Sequence, residues 1–225
     1  MAVPSSASRL VAQAGRELLR PAGLKQQGRS RLWLDDQDWW LGMVEFGSPR
    51  WSQGSRLRVG VMWLWGATPH ARFDVLHPGR ESTDLLNEAQ FSQSIRSHCG
   101  LAIDRVEGYR RKFRGVAAAA EFLASSMPTR PTPWDQYHAG VAAALIGDVV
   151  GARAHFADVL DESADGLQWL GDLQDKIRAL TELIDDREAF CAWASAVVAD
   201  TRRQLKLCPL TRGAFAREQN GSPSA

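Results

Sequence analysis

Between Ser55 and Gly66 the chain reads Ser-Arg-Leu-Arg-Val-Gly-Val-Met-Trp-Leu-Trp-Gly, a pattern that suits an extended strand and little else. Successive side chains on a strand point to opposite faces. Leu57, Val59, Val61, Trp63 and Trp65 therefore share one face, and Arg56, Arg58, Gly60, Met62 and Leu64 the other. The first set is wholly apolar and must meet a core. The second begins charged and ends apolar, so only one end of it should be covered. Two segments upstream, Ser30 to Asp35 and Asp38 to Gly47, also read as strands. The first is joined to the second by the acidic turn Asp35-Asp36-Gln37-Asp38, and the second to the third by Ser48-Pro49-Arg50-Trp51-Ser52-Gln53-Gly54. Connections this short make antiparallel neighbours. In the middle segment Trp40, Val44 and Phe46 oppose Trp39, Leu41 and Met43, as expected of a central strand apolar on both faces.

Around this meander the pattern changes period. Leu10, Val11, Ala14, Leu18 and Leu19 give one apolar face to a helix from about Ser6 to Arg20, stopped by Pro21 and Gly23. Phe73, Val75 and Leu76 suggest a short strand, and Ser82 to Phe91 a helix. From Lys112 onward the periodicity is helical, interrupted by the proline-rich break from Met127 to Pro133. The expected fold class is α+β: a helix, a three- to four-stranded antiparallel meander, then a mainly helical region. The expected organisation is an α+β domain over 1–127, a helical region over 134–210 and a disordered tail over 211–225.

Two resemblances follow from particular residues. Gly23-Leu24-Lys25-Gln26-Gln27-Gly28-Arg29-Ser30, leading into Leu32, Trp33 and Leu34, resembles the glycine- and lysine-rich stretch of domain-of-unknown-function family 4304. That family's usual aromatic is Leu24 here, and two of its lysines are Gln26 and Gln27. The resemblance covers roughly residues 5–125 and implies a bacterial α+β protein of no known activity. Gly140, Gly147-Asp148, Ala152, Phe156 and Leu160 are similar to one tetratricopeptide-type helical hairpin. No second copy follows at the period of about 34 residues that such arrays use, so an ordinary antiparallel helix pair is expected.

Composition limits the function classes. The net charge is +1, which supplies no global field for nucleic acid or an anionic membrane. The three cysteines, Cys99, Cys191 and Cys208, are too widely spaced for a disulfide framework. With no signal-peptide pattern and no apolar run of about 18 residues, a cytoplasmic protein without a membrane span is expected.

The remaining chemistry is sparse. His70, His77, His98, His138 and His155 show no metal-ligand spacing, although His138 and His155 lie on helices that should run antiparallel and could approach each other. Cys99 beside His98 reads as an inert thiol rather than a nucleophile. Asp35, Asp36 and Asp38 read as turn formers, and Asp185, Asp186 and Glu188 as the acidic start of a helix. No metal or other cofactor is expected. Arg110, Arg111 and Arg114, near Arg105 and Tyr109, form the one basic run that could contact a nucleic acid, diluted by Asp104 and Glu107. Most of the nine tryptophans fall on the meander and read as core. Trp51, in a polar loop, combines with Arg50, Arg56 and Arg58 as the expected binding surface for a protein partner. The leading expectation is a non-enzymatic interaction module of regulatory or immunity type. The alternative is an enzyme or nucleic-acid-binding factor using a cleft between sheet and helices.

Overall fold

The computed structural model describes residues 5–48, 54–79, 81–210 and 215. The chain forms two compact units, residues 1–62 with 72–111, and residues 63–71 with 112–225.

The first unit is α+β. Helix α1 (Ser6–Ala14) is capped by Ser5, whose side chain accepts from the Ser8 N–H, and it buries Ala7, Val11 and Ala14. The expected helix to Arg20 is not uniform: Gly15–Leu19 forms a π-helical turn, with Arg20 N–H reaching Gly15 C=O at 3.2 Å. Strands β1 (Lys25–Gln26), β2 (Leu32–Gln37), β3 (Trp40–Gly47), β4 (Gly54–Trp63), β5 (Val75–Leu76) and β6 (Ser82–Asp84) form one sheet in the order β1-β2-β3-β4-β5. The strand β6 also pairs with β4, so β5 and β6 occupy successive stretches of one β4 edge, at Gly60–Val61 and Gly54–Arg56. The three long strands are the expected meander; the three short ones extend it at its margins. The acidic turn is tighter than expected. Asp35, Asp36 and Gln37 belong to β2, Gln37 pairs with Trp40, and only Asp38 and Trp39 make the connection, with Asp38 at φ 63°.

Helix α2 (Glu88–Lys112) corrects the reading of this region. Ser82 to Asp84 is a strand, not a helix start, and the helix begins later and runs far longer than expected. Its buried residues Phe91, Ile95, Cys99, Ala102 and Val106 follow helical spacing and pack with Ala7, Val11 and Ala14 of α1 against Trp33, Val44, Phe46, Leu57 and Val59 of the sheet. These sheet residues include Leu57 and Val59 of the predicted apolar face of β4, while Arg56 and Arg58 on the opposite face are exposed.

The second unit is helical: α3 (Val116–Ser125), α4 (Pro133–Ile146), α5 (Val149–Leu160), α6 (Gln168–Leu183) and α7 (Arg187–Gln204). Thr132 and Asp135 form a reciprocal capping box at α4, with Pro133 in the first turn where its missing N–H costs nothing. Gly147 at φ 86° ends α4, and Asp148 caps α5. The two helices form the expected antiparallel hairpin. A Cβ on Gly140 would lie 2.4 Å from Phe156 Cε1, so the glycine is what lets the Phe156 ring fill the seam.

The extended run does not continue to Gly66 as expected. It stops at Trp63, and Leu64–Gly66 forms a 3₁₀ turn. The Trp65 C=O accepts from Tyr137 Oη at 3.1 Å, and its Nε1 donates to His138 Nδ1 at 3.0 Å. A side-chain hydroxyl thus satisfies the Trp65 carbonyl in place of a ladder partner. The Trp63 and Trp65 rings stack at 5.2 Å, and Phe113 meets Trp63 edge-on at 5.0 Å. Among the described residues no helix is long and apolar enough to cross a membrane.

Candidate ligand cavity

The first unit contains a cavity of about 680 Å³ between α1 and the loop joining β1 to β2. Its wall on the helix side carries Ser8, Arg9, Ala12, Gln13 and Arg16; the facing wall carries Gln26, Arg29, Ser30, Arg31 and Trp33. Both walls follow from local sequence. One helical face of α1 is buried in the core, which leaves the polar residues at Arg9, Gln13 and Arg16 on the other side. The facing loop is a compact turn in which Gln27 C=O accepts from the Ser30 N–H at 3.1 Å, the Ser30 hydroxyl donates to Gln27 C=O at 2.7 Å, and Gly28 takes φ 57°.

The charge balance of the lining is one-sided: among the described residues it includes four arginines, Arg9, Arg16, Arg29 and Arg31, and no carboxylate. Arg9 reaches Glu88 outside the cavity at 3.6 Å, a loose and exposed pair. Arg31 is held differently. Its Nη2 donates to Ser8 Oγ at 2.7 Å, while its Nη1 is fully covered and meets no protein acceptor among the described residues. Burial pulls the Arg31 pKa below the ordinary arginine value, and no neighbouring acid counters that pull. Trp33, 1% exposed, holds a second such donor: its Nε1 also meets no acceptor among the described residues. The edge of its indole lies against Gly15, where a Cβ would approach Cζ2 to 2.4 Å. The π-helical turn therefore starts at the residue that makes room for this ring. Leaving a buried donor unpaired costs about 1–3 kcal/mol, more when it is charged. Both atoms are closed off from the cavity as well as from solvent, the Nε1 edge of Trp33 being packed against Gly15.

The sequence-derived candidates are dispersed. Arg50 and Trp51 lie outside the described residues. Arg56 and Arg58 are exposed on β4, and Arg58 is engaged, donating to Glu45 Oε2 at 2.9 Å and lying 4.5 Å from the centre of the Phe73 ring. The basic run is likewise taken up. Arg110 donates from Nε and Nη2 to the two oxygens of buried Asp35, at 3.0 and 2.6 Å, and to Ala22 C=O at 2.9 Å. Arg111 pairs with Glu107 at 3.7 Å, and Lys112 stands over the Phe122 ring. Arg114 belongs to the second unit, where it is exposed. Arg105 forms a two-pronged pair with Glu81.

The histidines serve separate networks. His138 accepts from Trp65, whereas His155 Nδ1 meets Gln136 Oε1 at 2.7 Å, and Gln136 in turn donates to Asp158 at 2.7 Å. Burial lowers the pKa values of His77, His98 and His155. The Cys99 thiol is fully buried and pushed up to about 12 by desolvation, which removes it as a nucleophile near neutral pH.

Sequence reasoning passed over the cavity because its arginines are scattered over two elements and never form a run. Only the pair Arg29 and Arg31 beside Trp33 hinted at it. No known protein family, curated protein or solved structure matches this chain.

Proposed function

We propose that this chain is a non-catalytic binding protein whose first unit takes up a small molecule in the cavity between α1 and the β1–β2 loop. The observation that carries the reading is the lining of this ligand-sized cavity, which gathers four arginines, Arg9, Arg16, Arg29 and Arg31, with no carboxylate among the described residues. Binding sites for small molecules typically measure about 300–1,000 Å³ and combine an apolar wall with a few fixed polar groups. Val11, Ala12 and Trp33 supply the first here, and the arginines and glutamines the second. The regulatory character expected from the sequence stays within this reading, with a ligand rather than a loop tryptophan as the element recognised.

The test is a thermal-shift screen of the full chain against anionic, neutral and cationic small molecules, run in parallel on Ala12→Phe. That substitution sits on the part-exposed side of α1 and fills the cavity. Compounds that stabilise the native protein and lose their effect in Ala12→Phe are expected. A screen in which no compound of any charge distinguishes the two proteins would overturn the reading.

A further inference from the structure

The margin of the sheet carries a device unconnected with the cavity. We propose that His77, Gly79 and Glu81 form an acid-sensitive latch: protonation of His77 releases β5 and β6 from the edge of β4 while the rest of the first unit stays folded.

The latch starts from an irregularity of strand pairing. The β5 register sets Leu76 against Gly60, and the His77 N–H continues it by donating to Val59 C=O at 2.8 Å. The β6 register sets Ser82 against Arg56, and Glu81 C=O accepts from the Leu57 N–H at 2.8 Å. Between these two positions β4 has the single residue Arg58, whereas the connection from His77 to Glu81 has three. The ladder is interrupted there, as at a bulge, so side chains must hold what backbone pairing does not. Two locks do this. His77 Nδ1 accepts from the Gly79 N–H at 3.0 Å, and Glu81 makes its two-pronged pair with Arg105 of α2. Gly79 sits against the second lock as well: a Cβ there would lie 2.5 Å from Arg105 Nη2 and 2.7 Å from Glu81 Oε1.

The two locks respond differently to acid. Glu81 is held at about 2, so its pair with Arg105 outlasts mild acid. His77 does not share that protection. A ring nitrogen that accepts from a backbone N–H carries no proton, so the closed latch requires the neutral imidazole with its proton on Nε2. Protonation turns that acceptor into a donor facing a donor. Among the described residues, the charged groups acting on His77 are Arg105 of α2, which opposes an imidazolium, and Glu81, already matched to Arg105. Arg58 of β4 is engaged with Glu45. His98, earlier on α2, is buried under the same two charges, and its Nδ1 meets no partner among the described residues. Burial lowers the pKa of both histidines below the ordinary value of about 6.5, so the closed form binds protons less readily than the open one. Closure is therefore complete above that value and weakens as the pH falls below it, by up to about tenfold per pH unit for each proton taken up.

The experiment is amide hydrogen exchange of the full chain at pH 7 and pH 5, each rate divided by the intrinsic rate at that pH, together with ring-nitrogen NMR of the histidines. At pH 7 His77 is expected as the Nε2–H tautomer. At pH 5 the Leu57, His77 and Gly79 amides should lose protection, while Phe46, whose N–H donates to Arg31 C=O at 3.1 Å, keeps it. His77→Asn should abolish the loss, because an asparagine side-chain oxygen accepts from the N–H two residues on and does not titrate. His77→Leu, with no acceptor, should leave the Gly79 amide unprotected at both pH values.

An Nδ1–H tautomer of His77 at pH 7 would overturn the latch, as would equal protection of these amides at the two pH values. An equal loss at Phe46 would replace it with general loosening of the unit. A loss undiminished in His77→Asn would remove His77 as the trigger.

Discussion

Two arginines of the first unit show how much the partner decides. Arg110 meets Asp35, which is 2% exposed, and the pair closes with two hydrogen bonds and a third to Ala22 C=O. Gly42 stands opposite Asp35 on β3, and a Cβ there would come within 3.0 Å of Asp35 Cβ, so the register reserves space for the acid. Arg31 has Ser8 and no acid. Breaking a buried pair leaves an uncompensated charge, so Arg110→Met is expected to destabilise the protein by about 3 kcal/mol in chemical denaturation. Asp35→Asn with Arg110→Met should recover part of that loss, because the orphaned charge is gone. A double-mutant cycle measures the coupling, and strict additivity would refute the pairing. Cysteine reactivity gives a second check at this scale. Cys208 is exposed and Cys99 buried, so a disulfide reagent should modify Cys208 readily in the native protein and Cys99 only on unfolding.

At the scale of elements, the α4–α5 hairpin depends on close approach at one residue. Alanine is favoured over glycine inside a helix by about 1 kcal/mol, yet Gly140→Ala is expected to destabilise the protein by about 1–3 kcal/mol, since its methyl group meets the Phe156 ring. A rise in melting temperature would show that the seam has slack. The segment before β6 is tied to α2 through Glu81 and Arg105. The Arg105 hydrogen bonds hold the Glu81 pKa at about 2, below its value in an unfolded chain of roughly 4.3. The folded state therefore prefers the ionised form. Its contribution is complete above the unfolded value and fades as the pH falls from about 4.5 towards 2. The lowered pKa values of His77 and His98 act in the same direction at higher pH, because the unfolded chain takes up protons first. Thermal melts of Glu81→Gln should show less acid destabilisation below pH 4.5 than the parent protein. Parallel curves would count against the clamp.

For the whole molecule, a net charge of +1 hides a local concentration of arginine in the first unit, so the field at that cavity is a matter of placement rather than of overall charge. A ligand that binds only the folded protein should raise its stability by about 2.7 kcal/mol at a hundredfold excess over Kd, and the gain should grow with the logarithm of concentration. A stabilisation that saturates early would point to surface screening by salt instead.

Much of the architecture was legible in the residue order. Period-two alternation located β2, β3 and β4 and named the buried face of β4; the proline-rich break before Trp134 and the Gly147-Asp148 turn located α4 and α5. The stripe of α2 was present too, at Phe91, Ile95, Cys99, Ala102 and Val106, but the polar residues between them weakened it and Ser82 offered a false start. Other features had no local signal. A π-helical turn keeps the composition of an α-helix, and the contact that accompanies it, Gly15 against Trp33, joins residues from different elements. The strand ending at Trp63 depends on Tyr137 and His138, far along the chain. The cavity depends on the same principle. Sequence by itself determined which segments are strands or helices and which faces are apolar, because those follow from periodicity and burial within a few residues. Only the tertiary structure decided which arginines are paired and which are not, because a charge is compensated by whatever lies nearest in space.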